Sequence, residues 1–147
     1  MALAVTCASD AAEDLGTMAG AAVLGSITIP GQAEHVRMAR MLVARVLRGL
    51  GSVTDTAVLL TSELVTNAVR HSNSRQPGGT VALIVLKIAD GVRVEVTDNG
   101  SDHSSPVVKG GEFTCDGHGL LLVETMAQQW GYLRDEAGTT VWFRLTA

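Results

Sequence analysis

The residues best suited to chemistry fall in three short groups. Glu63, Asn67 and His71 stand four apart, so on a helix they line one face with a drift of about 40° per step. An Asn carbonyl is the kind of oxygen ligand that Mg2+ takes beside phosphate and water oxygens. A carboxylate one turn away can position a water or accept a hydroxyl proton. Thr66 and Arg70 flank the same face. A solvated helix surface would carry similar residues. Asp98 closes an apolar run and is followed by Asn99-Gly100. An ionised carboxylate only accepts hydrogen bonds, which suits the exocyclic amine of adenine, and Gly100 lets a ring approach the backbone. A plain Asp-Asn-Gly turn is the alternative. Gly117-His118-Gly119 precedes Leu120-Leu121-Leu122-Val123. Glycines at a helix start leave amides open to phosphate oxygens, and the helix dipole adds attraction.

In this order the groups supply a magnesium ligand with a neighbouring carboxylate, an adenine acceptor and a phosphate cradle, which together make an ATP site. Other nucleotide signatures do not fit. Leu122 stands where a dinucleotide fingerprint needs its third glycine, and no Gly-Lys-Ser/Thr run exists for a Walker A loop. Cys115-Asp116-Gly117-His118 has a spacing that zinc can use, but it lacks the paired Cys/His clusters of a structural site.

Several elements must position these groups. Ala21 to Ile29 reads as a strand stopped by Pro30-Gly31. From Gln32 to Leu50 the period is helical, with Val36, Ala39, Val43, Val46, Leu47 and Leu50 on one stripe. Arg37, Arg40, Arg45 and Arg48 form a basic band on that helix, either a solvated face or a docking surface for an acidic partner. A second helix runs from about Thr54 to His71, capped by Ser52 or Thr54, with Ala57, Val58, Leu64, Val65, Ala68 and Val69 inward. Ser72 to Gly79 is a loop. Thr80 to Ile88 and Val92 to Thr97 are strands joined through Ala89-Asp90-Gly91. Asn99 to Asp116 is a long polar, Gly-rich loop of the kind used as a lid. A third helix, Gly119 to Gln128, and two strands, about Trp130 to Asp135 and Thr139 to Thr146, complete the chain. The order predicts an α+β two-layer sandwich, with three helices on one face of a mainly antiparallel mixed sheet. Residues 1–22 are expected to be a flexible tail and 23–147 the ATP-binding domain.

Composition bounds the function. At 147 residues there is room for one domain, and 46 % hydrophobic residues suffice for a core. A net charge of −4 argues against a nucleic-acid binder that works by phosphate neutralisation. Cys7 and Cys115, in the tail and the lid, do not suggest a structural disulfide. The first residues carry Asp10, Glu13 and Asp14 but no basic residue, unlike a secretory leader. No apolar run is long enough to span a bilayer. A cytoplasmic protein with no membrane or direct nucleic-acid partner is expected.

These motifs resemble the GHKL ATPase superfamily and, more closely, the small bacterial anti-sigma-factor serine/threonine kinases, over about residues 23 to 147. Glu63-Leu-Val-Thr-Asn67-Ala-Val-Arg70-His71-Ser72 is similar to the family's N-box, and Asp98-Asn-Gly100 to its adenine box. Gly117-His-Gly119-Leu-Leu-Leu-Val is similar to the glycine box after the ATP lid, with His118 where close relatives often have Arg. Gly138-Thr-Thr140-Val-Trp-Phe resembles the closing strand. The resemblance implies ATP and Mg2+ as cofactors, with Asn67 on the metal and Glu63 as general base for an attacking hydroxyl. It implies Asp98 on the adenine amine, and Gly100 and Thr140 lining the base. Gly117, His118, Gly119 and Leu120 would hold phosphates, assisted by Arg70 and His71. The substrate would be a serine on a small antagonist protein and the other partner a sigma factor, with a homodimer as a further expectation. The alternative is an ATP-gated binding module, weak in catalysis, that sequesters a transcription regulator.

Overall fold

Thr80 to Ile88 is almost wholly apolar and Gly91 to Asp98 alternates valines with polar residues, on either side of a two-residue connection, so pairing them gives a hairpin with one oily face. That hairpin is the centre of the sheet. The computed structural model of the chain describes residues 3–6, 20–100, 107–109, 112–114, 118–136 and 138–147, with side chains for 20–100, 122–136 and 138–147.

The strands are β1 (Leu3–Thr6), β2 (Ala22–Pro30), β3 (Thr80–Ile88), β4 (Gly91–Asp98), β5 (Val107–Lys109), β6 (Glu112–Thr114), β7 (Gln129–Arg134) and β8 (Thr139–Thr146). Six of them form one sheet in the order β1-β7-β8-β4-β3-β2, and β5 and β6 pair separately. Every pairing among these strands is antiparallel. The helices are α1 (Val36–Val46), α2 (Ser52–His71) and α3 (His118–Met126). The fold is the expected α+β sandwich with helices on one face.

One core joins the layers. Val81, Leu83 and Val85 of β3, Val92, Val94 and Val96 of β4, and Phe143 and Leu145 of β8 face the helices. They pack with Ala39, Leu42 and Val43 of α1 and with Ala57, Leu60, Leu64, Val65 and Ala68 of α2. Burial of this much aliphatic surface, at about 25 cal/mol per Å2, is what drives the helices onto the sheet. With so few aromatics in the chain, Trp130 and Phe143 are the largest fully buried side chains.

Several boundaries differ from expectation for identifiable reasons. Residues 33–35 form a short 3-10 turn ahead of α1, and α1 stops at Val46, so Leu50 is exposed. The start of α2 has no side-chain cap. Gly51, at φ +60°, occupies that position, and the Thr54 hydroxyl donates instead to the Leu47 carbonyl at the end of α1. The expected lid is not featureless: β5 and β6 pair antiparallel within it, Val107 opposite Thr114 and Lys109 opposite Glu112. Leu3–Thr6, placed in the tail by its composition, adds to the sheet edge beside β7, with Leu3 opposite Arg134 and Thr6 opposite Gly131. Among the described residues, no helix is long and apolar enough to cross a membrane.

Candidate functional site

Asp98 ends β4 opposite Thr139, the first residue of β8. Its Oδ1 accepts from the Gly100 amide at 2.6 Å and the Thr139 amide at 3.3 Å. Among the described residues no hydrogen-bond donor reaches Oδ2, so half of the carboxylate is fixed and half remains an open acceptor. Burial pushes the Asp98 pKa above the ordinary aspartate value of 3.8, while the two amides and the Arg134 charge pull it back. A carboxylate held in place at that desolvation cost is suited to a ligand that donates to it.

Glycines make this corner possible. Gly100 sits at φ +78° and Gly138 at φ +156°, both unfavourable for residues with a side chain. A Cβ on Gly138 would overlap the Asp98 carbonyl oxygen, so β8 can come this close only at a glycine. The sequence motifs assign Gly100 to the base pocket and give Gly138 only as the start of the closing-strand motif, with no role at Asp98. The signal was present in Ala137-Gly138, a turn glycine directly before the closing strand.

The same register corrects the threonine. Val96 and Val141 face the helices, so Thr97 and Thr140, one position along each strand, face the opposite side of the sheet. Their hydroxyls share a hydrogen bond at 2.7 Å there. Thr139, only 4 % exposed, is the threonine on the Asp98 side. The resemblance implies Thr140 from a motif with two adjacent threonines, and only strand register tells them apart.

The loop after Asp98 is bolted to the end of α2. The Asn99 amide donates to Ser74 Oγ at 2.9 Å, the Asn73 amide to the Gly100 carbonyl at 2.6 Å, and the Thr80 amide to Asn99 Oδ1 at 2.8 Å. Ser72 Oγ in turn donates to the Ala68 carbonyl at 2.5 Å and accepts from the Ser74 amide at 3.0 Å. Gly31 and Gly79 close over this turn, and a side chain on either would overlap the Ser74 carbonyl. Ser72-Asn73-Ser74 is therefore a connector that fixes the Asp98 loop to the helix carrying Asn67. Its composition marked it only as a loop, although Ser and Asn are the residues that make such local turns.

On α2, Ser62 accepts a 3.4 Å hydrogen bond from Arg40 of α1. Asn67 is five positions on, about 140° around the helix. It therefore lies on the flank away from that contact, and α2 also packs against α3. Glu63 shares the flank, and both residues are half-buried. Asn67 Nδ2 is buried with no hydrogen-bond partner among the described residues. An NH2 left in that condition is costly unless an acceptor completes it, and a phosphate oxygen of a nucleotide is such an acceptor, while the amide's Oδ1 is the atom that would face a metal. The donor set therefore fits ATP and Mg2+. Asn67 would hold the metal and Asp98 the base, and the metal, when bound, would neutralise phosphate charge.

Arg70 and His71 lie exposed on the last turn of α2, each already engaged in an interaction. His118, Gly119 and Leu120 form the first turn of α3, so a helix N-terminus stands where the phosphate cradle was expected. Gly117 lies outside the described residues, as does Cys115-Asp116 of the zinc alternative. Among the described residues no cluster of His, Cys, Asp and Glu is placed to hold a metal on its own.

Comparison with known families decides the affiliation. The family model of the histidine kinase-like ATPase domain matches residues 29–145. The chain belongs to that family. No curated protein matched it. In this histidine kinase-like ATPase domain the match runs from the end of β2 to the end of β8 and takes in α1, α2, α3 and the Asp98 corner. The chain is an ATP-binding domain of the GHKL type, a group that includes kinases without being limited to them.

Proposed function

We propose that this domain is an ATP- and Mg2+-dependent serine/threonine protein kinase that acts as an anti-sigma-factor-like regulator. The supporting observation is the shared flank of α2, where Glu63 stands one turn before Asn67, the residue with an unfilled amide. A metal ligand and a free carboxylate one turn apart are the parts a transfer to a hydroxyl requires, because phosphoryl transfer depends mostly on positioning and charge neutralisation. Asp98 would orient the adenine, Asn67 would hold Mg2+, which would neutralise phosphate charge, and Glu63 would take the proton of a serine hydroxyl as its oxygen bonds to the γ-phosphorus and ADP leaves.

The macromolecular partners are a small antagonist protein, which carries the serine, and a sigma factor. Their docking surface is the exposed side of α1, where Ile27, Met38, Met41 and Leu42 line a groove of about 530 Å3 edged by Arg45 and Arg48. Met41, 59 % exposed there, and Met38, 42 % exposed, give the groove flexible apolar side chains that can repack against a partner.

Replacing Glu63 with alanine tests the catalytic part. The expected result is loss of phosphate transfer from ATP to a serine of the antagonist, with ATP binding retained. If the unaltered protein transfers no phosphate to a protein it binds, the kinase reading fails and an ATP-gated binding module takes its place.

A further inference from the structure

The six-stranded sheet ends in two edges of unequal reach. β1 offers four residues, whereas β2 runs for nine, from Ala22 to Pro30. Among the described residues only β3 pairs with β2, so alternate residues of β2 turn their N–H and C=O groups toward open space. Natural sheet edges are blunted by charges, bulges or proline. β2 is blunted only at its ends. Its register slips between Val23 and Gly25, which makes Leu24 a bulge, and Pro30 has no N–H to give. Between these two points residues 25–29 run in unbroken register with residues 81–85 and carry no charge. Ser26 and Thr28 are exposed on the outer side of this window, and Ile27 is half-buried on the helix side.

A groove runs beside the window. α1 lies close over β2: a Cβ on Gly25 would stand 3.0 Å from Val46 and 3.2 Å from Leu42. Next to this contact Ile27, Met38, Met41 and Leu42 form the apolar lining of the groove on α1. A strand added to β2 sits one strand spacing, about 4.8 Å, beyond it, and every second side chain rises toward α1 and this lining. Backbone bonds along an edge, with pockets for alternate side chains, are the parts of recognition by strand addition. The charges choose the occupant. Arg45 and Arg48 border the groove, no acidic residue lines it, and neither arginine has a partner among the described residues. A second copy of the chain fits poorly. Two-fold pairing of β2 with itself would set α1 beside α1, and Val36–Val46 carries Arg37, Arg40 and Arg45 with no acidic residue.

We propose that the edge at residues 25–29 and its groove take an extended acidic segment of the partner protein as an added strand. Aliphatic side chains of that segment enter between Ile27, Met38 and Met41, and its carboxylates meet Arg45 and Arg48. The bulge at Leu24 and the proline at position 30 confine the added strand to the window, so the edge takes a short segment only. Docking in this mode rests on the α1 surface proposed above and is independent of phosphate transfer.

Peptide arrays probed with the full chain, without nucleotide, test the proposal. Each peptide alternates aliphatic residues with threonine over the length of the window. One set is flanked by glutamates, a second by lysines, and a third by glutamates with a proline at the centre. The first set should bind, and the other two about tenfold more weakly or not at all. The Arg45→Glu, Arg48→Glu protein should lose about tenfold toward the first set. Hydrogen exchange read by NMR should show amides among residues 25–29 slowed by bound peptide, with those of Gly100 and Thr139 unchanged. Equal binding of the lysine or proline sets would overturn the proposal, as would no binding by any set. Binding that leaves the amides of residues 25–29 exchanging as before would keep a partner on α1 and overturn the added strand. A dimer in sedimentation that is lost in Met41→Asp would give the edge to a second copy and overturn the proposal equally.

Discussion

Replacing Asp98 with asparagine changes one half of a carboxylate whose two halves do different work. Asparagine keeps an oxygen for the Gly100 and Thr139 amides, so the corner of the sheet keeps its shape. It turns an NH2 group toward the place where the adenine amine donates. A charge-assisted hydrogen bond, worth about 1.5–3 kcal/mol, is replaced by two opposed donors. At about 1.4 kcal/mol per factor of ten, ATP should bind about tenfold to a hundredfold more weakly. The fold should not suffer, because burial already disfavours the ionised carboxyl. Alanine behaves differently: it leaves both amides unpaired, and about 1–3 kcal/mol of stability should be lost along with binding. Calorimetric titration with ATP measures the first effect and urea denaturation the second. An Asp98→Asn protein that binds ATP as tightly as the unaltered one would refute the reasoning and remove Asp98 from the base pocket.

Gly138→Ala should destabilise the protein by at least about 2 kcal/mol in urea denaturation, because its Cβ overlaps the Asp98 carbonyl and its φ disfavours a side chain. A change of only a few tenths would mean that β8 can shift away without cost. Thr139→Val should weaken ATP in calorimetry while Thr140→Val leaves the affinity unchanged and loses only the Thr97 hydrogen bond; the reverse order would contradict the face assignment. The pH dependence follows from the raised pKa of Asp98. The folded state holds this proton more tightly than the unfolded chain, so the group's contribution to stability is fully present below 3.8 and is lost as pH rises through the folded pKa. Nucleotide affinity needs the ionised form and should run the other way, fading as pH falls through that same raised value. Affinity that persists in acid until an ordinary aspartate would protonate would show that the site leaves the carboxyl unperturbed.

The elements were legible where one period dominates. The β-rich run of β3 and the alternation of β4 mark both strands almost to the residue, and the four-residue spacing of Glu63 and Asn67 puts them on one face of α2. What escaped depends on tertiary register or on brevity. Whether Thr139 or Thr140 faces Asp98 is set by pairing with β4, which no local pattern encodes. Ser72-Asn73-Ser74 reads as a polar loop until Asn99 and Gly100 are seen docked on it. β1, β5 and β6 span only three or four residues each, too few for alternation to stand out. The burial of Arg93 escaped for a different reason. Arg93 and Glu95 alternate with valines and so predict a solvated face, whereas Arg93 is buried against Trp142.

The measurement closest to the central claim is titration of the purified protein with ATP in the presence and absence of Mg2+, with adenosine as the control ligand. The account predicts ATP binding at micromolar levels that weakens sharply without Mg2+, with adenosine indifferent to the metal. No binding at millimolar ATP, or equal loss for ATP and adenosine, would contradict it and leave Asn67 without a metal to hold.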